Sequence, residues 1–88
     1  MKQTYNPLTK EEYNSIKAGD VIERMLGFIA PCYLEVVKVE NNIIEASLWD
    51  FDANTGLEID KDIPTTVSYI SKILTEEEKE LVKLNGKL

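Results

Sequence analysis

Trp49-Asp50-Phe51-Asp52-Ala53-Asn54-Thr55-Gly56-Leu57-Glu58-Ile59-Asp60-Lys61-Asp62 is the stretch on which the reading of this chain turns. It holds the only tryptophan and five of the sixteen acidic residues: Asp50, Asp52, Glu58, Asp60 and Asp62. Asn54-Thr55-Gly56 in its middle is a turn signal, because Asn and Gly tolerate the backbone conformations that tight turns require. Apolar and β-branched residues approach the stretch and leave it, as strands do on either side of a reversal.

Upstream, residues 43–51 read as one strand, with Ile44, Ala46 and Leu48 on one face. Ile43, Glu45, Ser47, Trp49 and Phe51 fall on the other. Glu40-Asn41-Asn42 is a hairpin turn by the same tolerance of Asn for positive φ. Before it, residues 32–40 form a strand whose apolar phase changes. Leu34 and Val36 share one face, while Val37 and Val39 share the opposite one, which suggests a bulge or burial on both sides. Residues 21–29 form the strand before that, with Gly27 marking a bulge or a close backbone approach. Downstream, a short strand at residues 57–60 is followed by Pro64, and residues 66–73 give a fifth strand. Leu34, Val36, Val39, Ile44, Ala46, Leu48 and Val67 are the expected core.

Two helices bracket the strands. Thr9 and Glu12 make a capping box, with Leu8 and Tyr13 placed for a hydrophobic staple, so a short helix covers about residues 9–17. Thr75 and Glu78 make a second box for a helix over about 75–84, which carries Leu81, Val82 and Leu84 and stops at Asn85-Gly86. One mainly β domain spans residues 1–88, an antiparallel SH3-like barrel or a strongly bent five-stranded sheet with short terminal helices. An open meander with both helices on one face is the alternative.

Composition narrows the function. With 30% charged and 43% hydrophobic residues, the 88-residue chain suits one soluble globular domain. The net charge is −6, and the only arginine is Arg24. Between Glu40 and Asp62 seven acids face a single base, Lys61. That field opposes nucleic acid and anionic lipid; it is compatible with a basic protein partner, or else it only keeps a small domain soluble. Cys32 is the one cysteine, so no internal disulfide forms. With no apolar leader and no run long enough to span a membrane, the expected location is the cytoplasm.

Histidine is absent, which removes the commonest general base and metal ligand. Cys32 therefore has no His to activate it and reads as a buried apolar thiol. No Walker or dinucleotide fingerprint is present, so no cofactor is expected. Asp50, Asp52, Asn54 and Glu58 place oxygen ligands at alternate positions, in the manner of a calcium loop. Counted from Asp50, however, Thr55 stands where such a loop needs Gly, and Lys61 where it needs the bidentate Glu. Trp49 and Phe51 share a strand face, and with Tyr33, Tyr69 and Phe28 they would form an aromatic groove for a peptide, or else pack the core.

The series Trp49-x-Phe51-Asp52-x-x-Thr55-Gly56-x-Glu58-Ile59-Asp60 resembles a signature of small uncharacterised bacterial proteins. Gly19-Asp20-Val21, Arg24 and Phe28 are similar to an upstream segment of the same family. The likeness covers about residues 17–60 and implies relatives without implying an activity. The expectation is a non-enzymatic, cytoplasmic interaction or accessory module. The alternatives are a calcium module at residues 50–58 and a carboxylate-based enzyme.

Overall fold

A computed structural model describes residues 7–26, 29–47, 49–59 and 68–86 of the chain. The protein is mainly β. Five antiparallel strands form a strongly curled half-barrel: β1 (Val21–Leu26), β2 (Ile29–Glu40), β3 (Ile43–Ala46), β4 (Trp49–Asp52) and β5 (Ser68–Ile73). Their order across the sheet is β4-β3-β2-β1-β5. Two short helices, α1 (Lys10–Asn14) and α2 (Glu76–Leu84), accompany them.

Local chemistry explains most of these boundaries. Both helices begin at the expected capping boxes. Thr9 and Thr75 each accept a hydrogen bond from the third helical amide, and Glu12 and Glu78 each reach back to the cap amide. The β2–β3 reversal uses Asn41 and Asn42 at φ 55° and 64°, the twisted turn that fits a hairpin. The phase change in β2 is a bulge: Val36 pairs with Ala46, but Lys38 pairs with Glu45. Val39 thereby returns to the face of its partner Ile44. It is still 38% exposed, so the expectation that it is buried fails. It stands at the outer end of the hairpin, where little chain is left to cover it.

The reading of residues 43–51 as one strand also needs correction. The chain reverses at Ser47, whose φ is 59°, and Ala46 pairs directly with Trp49. Ile44 likewise faces Phe51. A continuous strand would put Trp49 and Phe51 opposite Ile44 and Ala46; the reversal brings all four to one face. Leu48, Val67, Gly27 and Phe28 lie outside the described residues.

The segment after the acidic turn links the sheet edges. Asp52 and Ile59 donate their amides to the carbonyls of Leu57 and Asp50, joining residues 57–59 to β4. Glu58 donates to Ser68, and Ile70 to Gly56, joining the same segment to β5. Satisfying both edges this way leaves fewer open backbone groups for another chain to pair with.

The core lies in two unequal parts. The larger fills the inside of the half-barrel, where Ile22, Leu34, Val36, Ile44, Ala46, Phe51 and Ile70 pack with Tyr13 and Ile16 from the α1 end. The smaller lies on the outside of the sheet, where Val21, Leu74 and Val82 pack with Tyr33. Neighbouring residues such as Val21 and Ile22 serve opposite parts, as period-two alternation requires. The helices therefore sit on opposite faces, α1 inside and α2 outside. The meander with both helices on one face is excluded. Among the described residues no helix is long and apolar enough to cross a membrane.

Candidate functional site

The acidic turn and its neighbours form a junction of hydrogen bonds. Asp52 Oδ1 accepts from the amides of Asn54 and Thr55, at 2.7 and 3.0 Å, which sets the turn. Asn14 of α1 donates through its side chain to the Ala53 carbonyl and to Asn54 Oδ1. Gly56 has φ +74°, and a Cβ there would lie 2.2 Å from the Tyr13 ring. Only glycine satisfies both the turn and this approach. The Tyr13 hydroxyl donates to the Ile70 carbonyl at 3.0 Å, tying α1 to β5. Burial raises the phenol's pKa above its ordinary value, with Glu12 and Tyr69 adding to the effect.

Beside the turn, Glu58 meets the only arginine. Arg24 donates to Glu58 Oε1 through Nε (3.2 Å) and Nη2 (2.9 Å), and to Ser68 Oγ at 2.9 Å. The Ser68 hydroxyl donates a hydrogen bond to the same carboxylate oxygen at 2.5 Å. The Arg24 guanidinium also sits 4.6 Å over the Trp49 ring and 3.8 Å from Cys32 Sγ. The two charged side chains are 11% and 8% exposed, so the pair lies largely out of water. Burial of such a pair costs desolvation, which the Ser68 hydroxyl bonded to both partners helps to offset. The chain's single arginine, tryptophan and cysteine thus meet in one cluster.

The four calcium-type candidates are therefore dispersed among other tasks. Asp52 holds turn amides, Asn54 holds Asn14, and Glu58 holds Arg24 and Ser68. Asp50 is exposed on β4, across from Glu45. Among the described residues no three Asp, Glu or Cys side chains converge as metal ligands.

The aromatic candidates also separate. Phe51 is wholly buried in the inner core, and Trp49 is half-buried beside it. Tyr33 faces outward with the α2 cluster, and Tyr69 lies on β5 opposite Met25. Ile16 shares the inner core with Phe51, whereas Leu81 and Leu84 lie on a helix outside.

A cleft opens where α2 meets the outer face of the sheet. Tyr33, Leu74 and Val82 make its apolar part, with Leu81 on the rim. Glu23, Glu78 and Lys72 supply its charges. Its free volume is about 160 Å³. Glu23 accepts from the Tyr33 hydroxyl at 3.3 Å and from Ser71 Oγ at 2.7 Å. Lys72 Nζ donates to Glu78, whose other oxygen closes the helix cap. Desolvation, followed by the Glu23 carboxylate, raises the Tyr33 phenol above its ordinary pKa. A second hollow lies against Tyr33 on its other side, between Val37 and Ser47.

Sequence reasoning singled out Tyr33 but assigned it to the wrong neighbours, because nothing local shows that Leu81 and Val82 will sit beside it. The Arg24–Glu58 pair spans 34 positions and was missed altogether. A usable signal was present: one arginine in an acidic chain demands a carboxylate. Comparison of this chain with protein-family models, with curated proteins and with solved structures gives no match.

Proposed function

We propose that this chain is a non-enzymatic interaction module of the bacterial cytoplasm, an SH3-like half-barrel that binds another protein through its outer face. One observation carries this reading. Among the described residues α2 buries only Val82, and leaves Leu81 and Leu84 58% and 80% exposed beside the Tyr33 cleft. Val37, 62% exposed, continues the apolar surface beyond Tyr33. A row of aliphatic side chains beside an aromatic cleft favours contact with a partner.

The acidic turn favours neither alternative. A calcium ion there would have to take Asp52, Asn54 and Glu58 from bonds that hold the fold. A carboxylate enzyme built on the turn needs two of the turn's acids in unlike environments facing a common space. Glu58 is turned inward onto Arg24, and Asp50 lies on the surface.

The test is affinity capture from the native host with the wild-type chain and with Leu81→Asp/Leu84→Asp. These positions are exposed, so the variant should keep its fold and melting temperature. A discrete protein recovered with the wild type and lost with the variant is the expected result. Equal recovery with both, or nothing above a tag-only control, contradicts the reading.

A further inference from the structure

The Tyr33 cleft has a chemical preference that the exposed helix face alone lacks. Its apolar part is Tyr33, Leu74 and Val82, with the last two each 8% exposed. Its free volume, about 160 Å³, is close to that of a cavity able to hold one benzene-sized group, roughly 150 Å³. That is room for about one large side chain.

The charges select which side chain. Two carboxylates, Glu23 and Glu78, face the cleft against a single ammonium, Lys72. The balance is one negative charge in excess, in a chain of net charge −6. Lys72 already shows the chemistry that this pair holds, since its ammonium rests on Glu78. Among the described residues the hydrogen bonds given to Glu23 come from the neutral hydroxyls of Tyr33 and Ser71; Lys72, its partner across β1 and β5, acts on it through space while donating to Glu78. A carboxylate accepts more than one hydrogen bond per oxygen, so Glu23 retains capacity for a cation beside the Tyr33 ring. A ring face next to a carboxylate is favourable ground for a cation whose stem is apolar.

Resting on the interaction reading above, we propose that the cleft binds a lysine or arginine side chain from an aliphatic-flanked segment of a partner protein. The stem lies against Tyr33, Leu74 and Val82, and the cation is placed on Glu23. Flanking aliphatic residues of the segment cover Leu81. The partner is thus a basic, amphipathic peptide segment, not an acidic or purely apolar one.

The probe is the blocked tripeptide acetyl-Leu-Lys-Leu-amide, titrated into the isotopically labelled full chain and followed by NMR. Its counterparts carry norleucine or glutamate in place of lysine. Saturable shifts are expected at Tyr33, Leu74, Leu81 and Val82, and not around Gly56. The norleucine peptide should bind about three- to fivefold more weakly, the ratio supplied by a half-exposed ion pair. Glu23→Gln should remove that difference while keeping the acceptor for Tyr33. Equal affinity of the lysine and norleucine peptides for the wild-type chain overturns the proposal without any variant. So does tighter binding of the glutamate peptide, or saturation at another surface. If the Leu81/Leu84 variant loses its captured partner while the peptides show no preference for lysine, the interaction reading survives and this occupant is rejected. If capture and peptide binding both fail, both are rejected.

Discussion

The Gly56 junction and the surface beneath α2 are both made of carboxylates, aromatics and aliphatic residues, yet they are held in opposite ways. At the junction, Asp52, Asn54, Glu58, Arg24 and Tyr13 each have partners within the chain, and Phe51 is fully buried. Beneath α2, Val82, Leu74 and Val21 form a small cluster, while Leu81 and Leu84 remain in water. The density of carboxylates along the sequence therefore does not show which of them stay at the surface. The acids of the turn are consumed in fixing the fold, and the less conspicuous pair Glu23 and Glu78 borders the open cleft.

The largest effect that would sharpen this contrast comes from Glu58→Ala. It leaves the Arg24 charge buried without its carboxylate, which should cost about 3–5 kcal/mol in a urea unfolding curve. A loss below about 1 kcal/mol, the range of an exposed pair, would mean that the junction is not held as described. Gly56→Ala is next. It adds left-handed strain of about 1–2 kcal/mol and overpacking of about 1–3 kcal/mol against Tyr13. If thermal melting shows Gly56→Ala to be neutral, Tyr13 has room to move and the junction is looser than the contacts imply.

Smaller effects distinguish the two regions. Thr9→Ala and Thr75→Ala each remove one cap bond, worth about 1 kcal/mol. Thr9→Ala should appear in full in global unfolding, because α1 closes the inner core. Thr75→Ala should appear partly as faster amide exchange within α2. The smallest effect is electrostatic. Lys72, then the Thr75 amide, lowers the Glu78 pKa below the ordinary value of 4.5. Its folded value is depressed, so its contribution to α2 is present above the unfolded value and is lost as pH falls through the lowered one. Lys72→Met should move the Glu78 titration, read by carboxyl NMR, back toward the ordinary value. An unmoved titration would mean that Lys72 does not rest on Glu78.

How legible this was depended on the range of each interaction. The two capping boxes, the Asn41-Asn42 turn and the β2 bulge were readable, because each is set by residues within a few positions of one another. The break of β3 from β4 was not. Ser47 adopts positive φ with no glycine or asparagine to announce it, and burial of Phe51 against Ile44 rewards the reversal from across the sheet. That hidden turn misplaced Trp49 and Phe51, and with them the aromatic groove. Arg24 with Glu58, and Tyr33 with Val82, are tertiary meetings that no spacing along the chain encodes.

Residues 49–59 form a structural junction, whereas α2 rests on the outer face through a small apolar cluster. Native-state hydrogen exchange measures both in one experiment. The amides of Ala53, Glu58, Ile59 and Ile70, each bonded across the junction, and that of Gly56, bonded within the turn to Asp52, should exchange only when the whole protein unfolds. Those of Lys79 and Val82 in α2 should exchange through a separate opening of lower free energy, with a weaker dependence on denaturant. If α2 and junction amides instead share a single opening free energy, α2 is as firmly built into the fold as the turn, and the contrast on which this account rests is wrong.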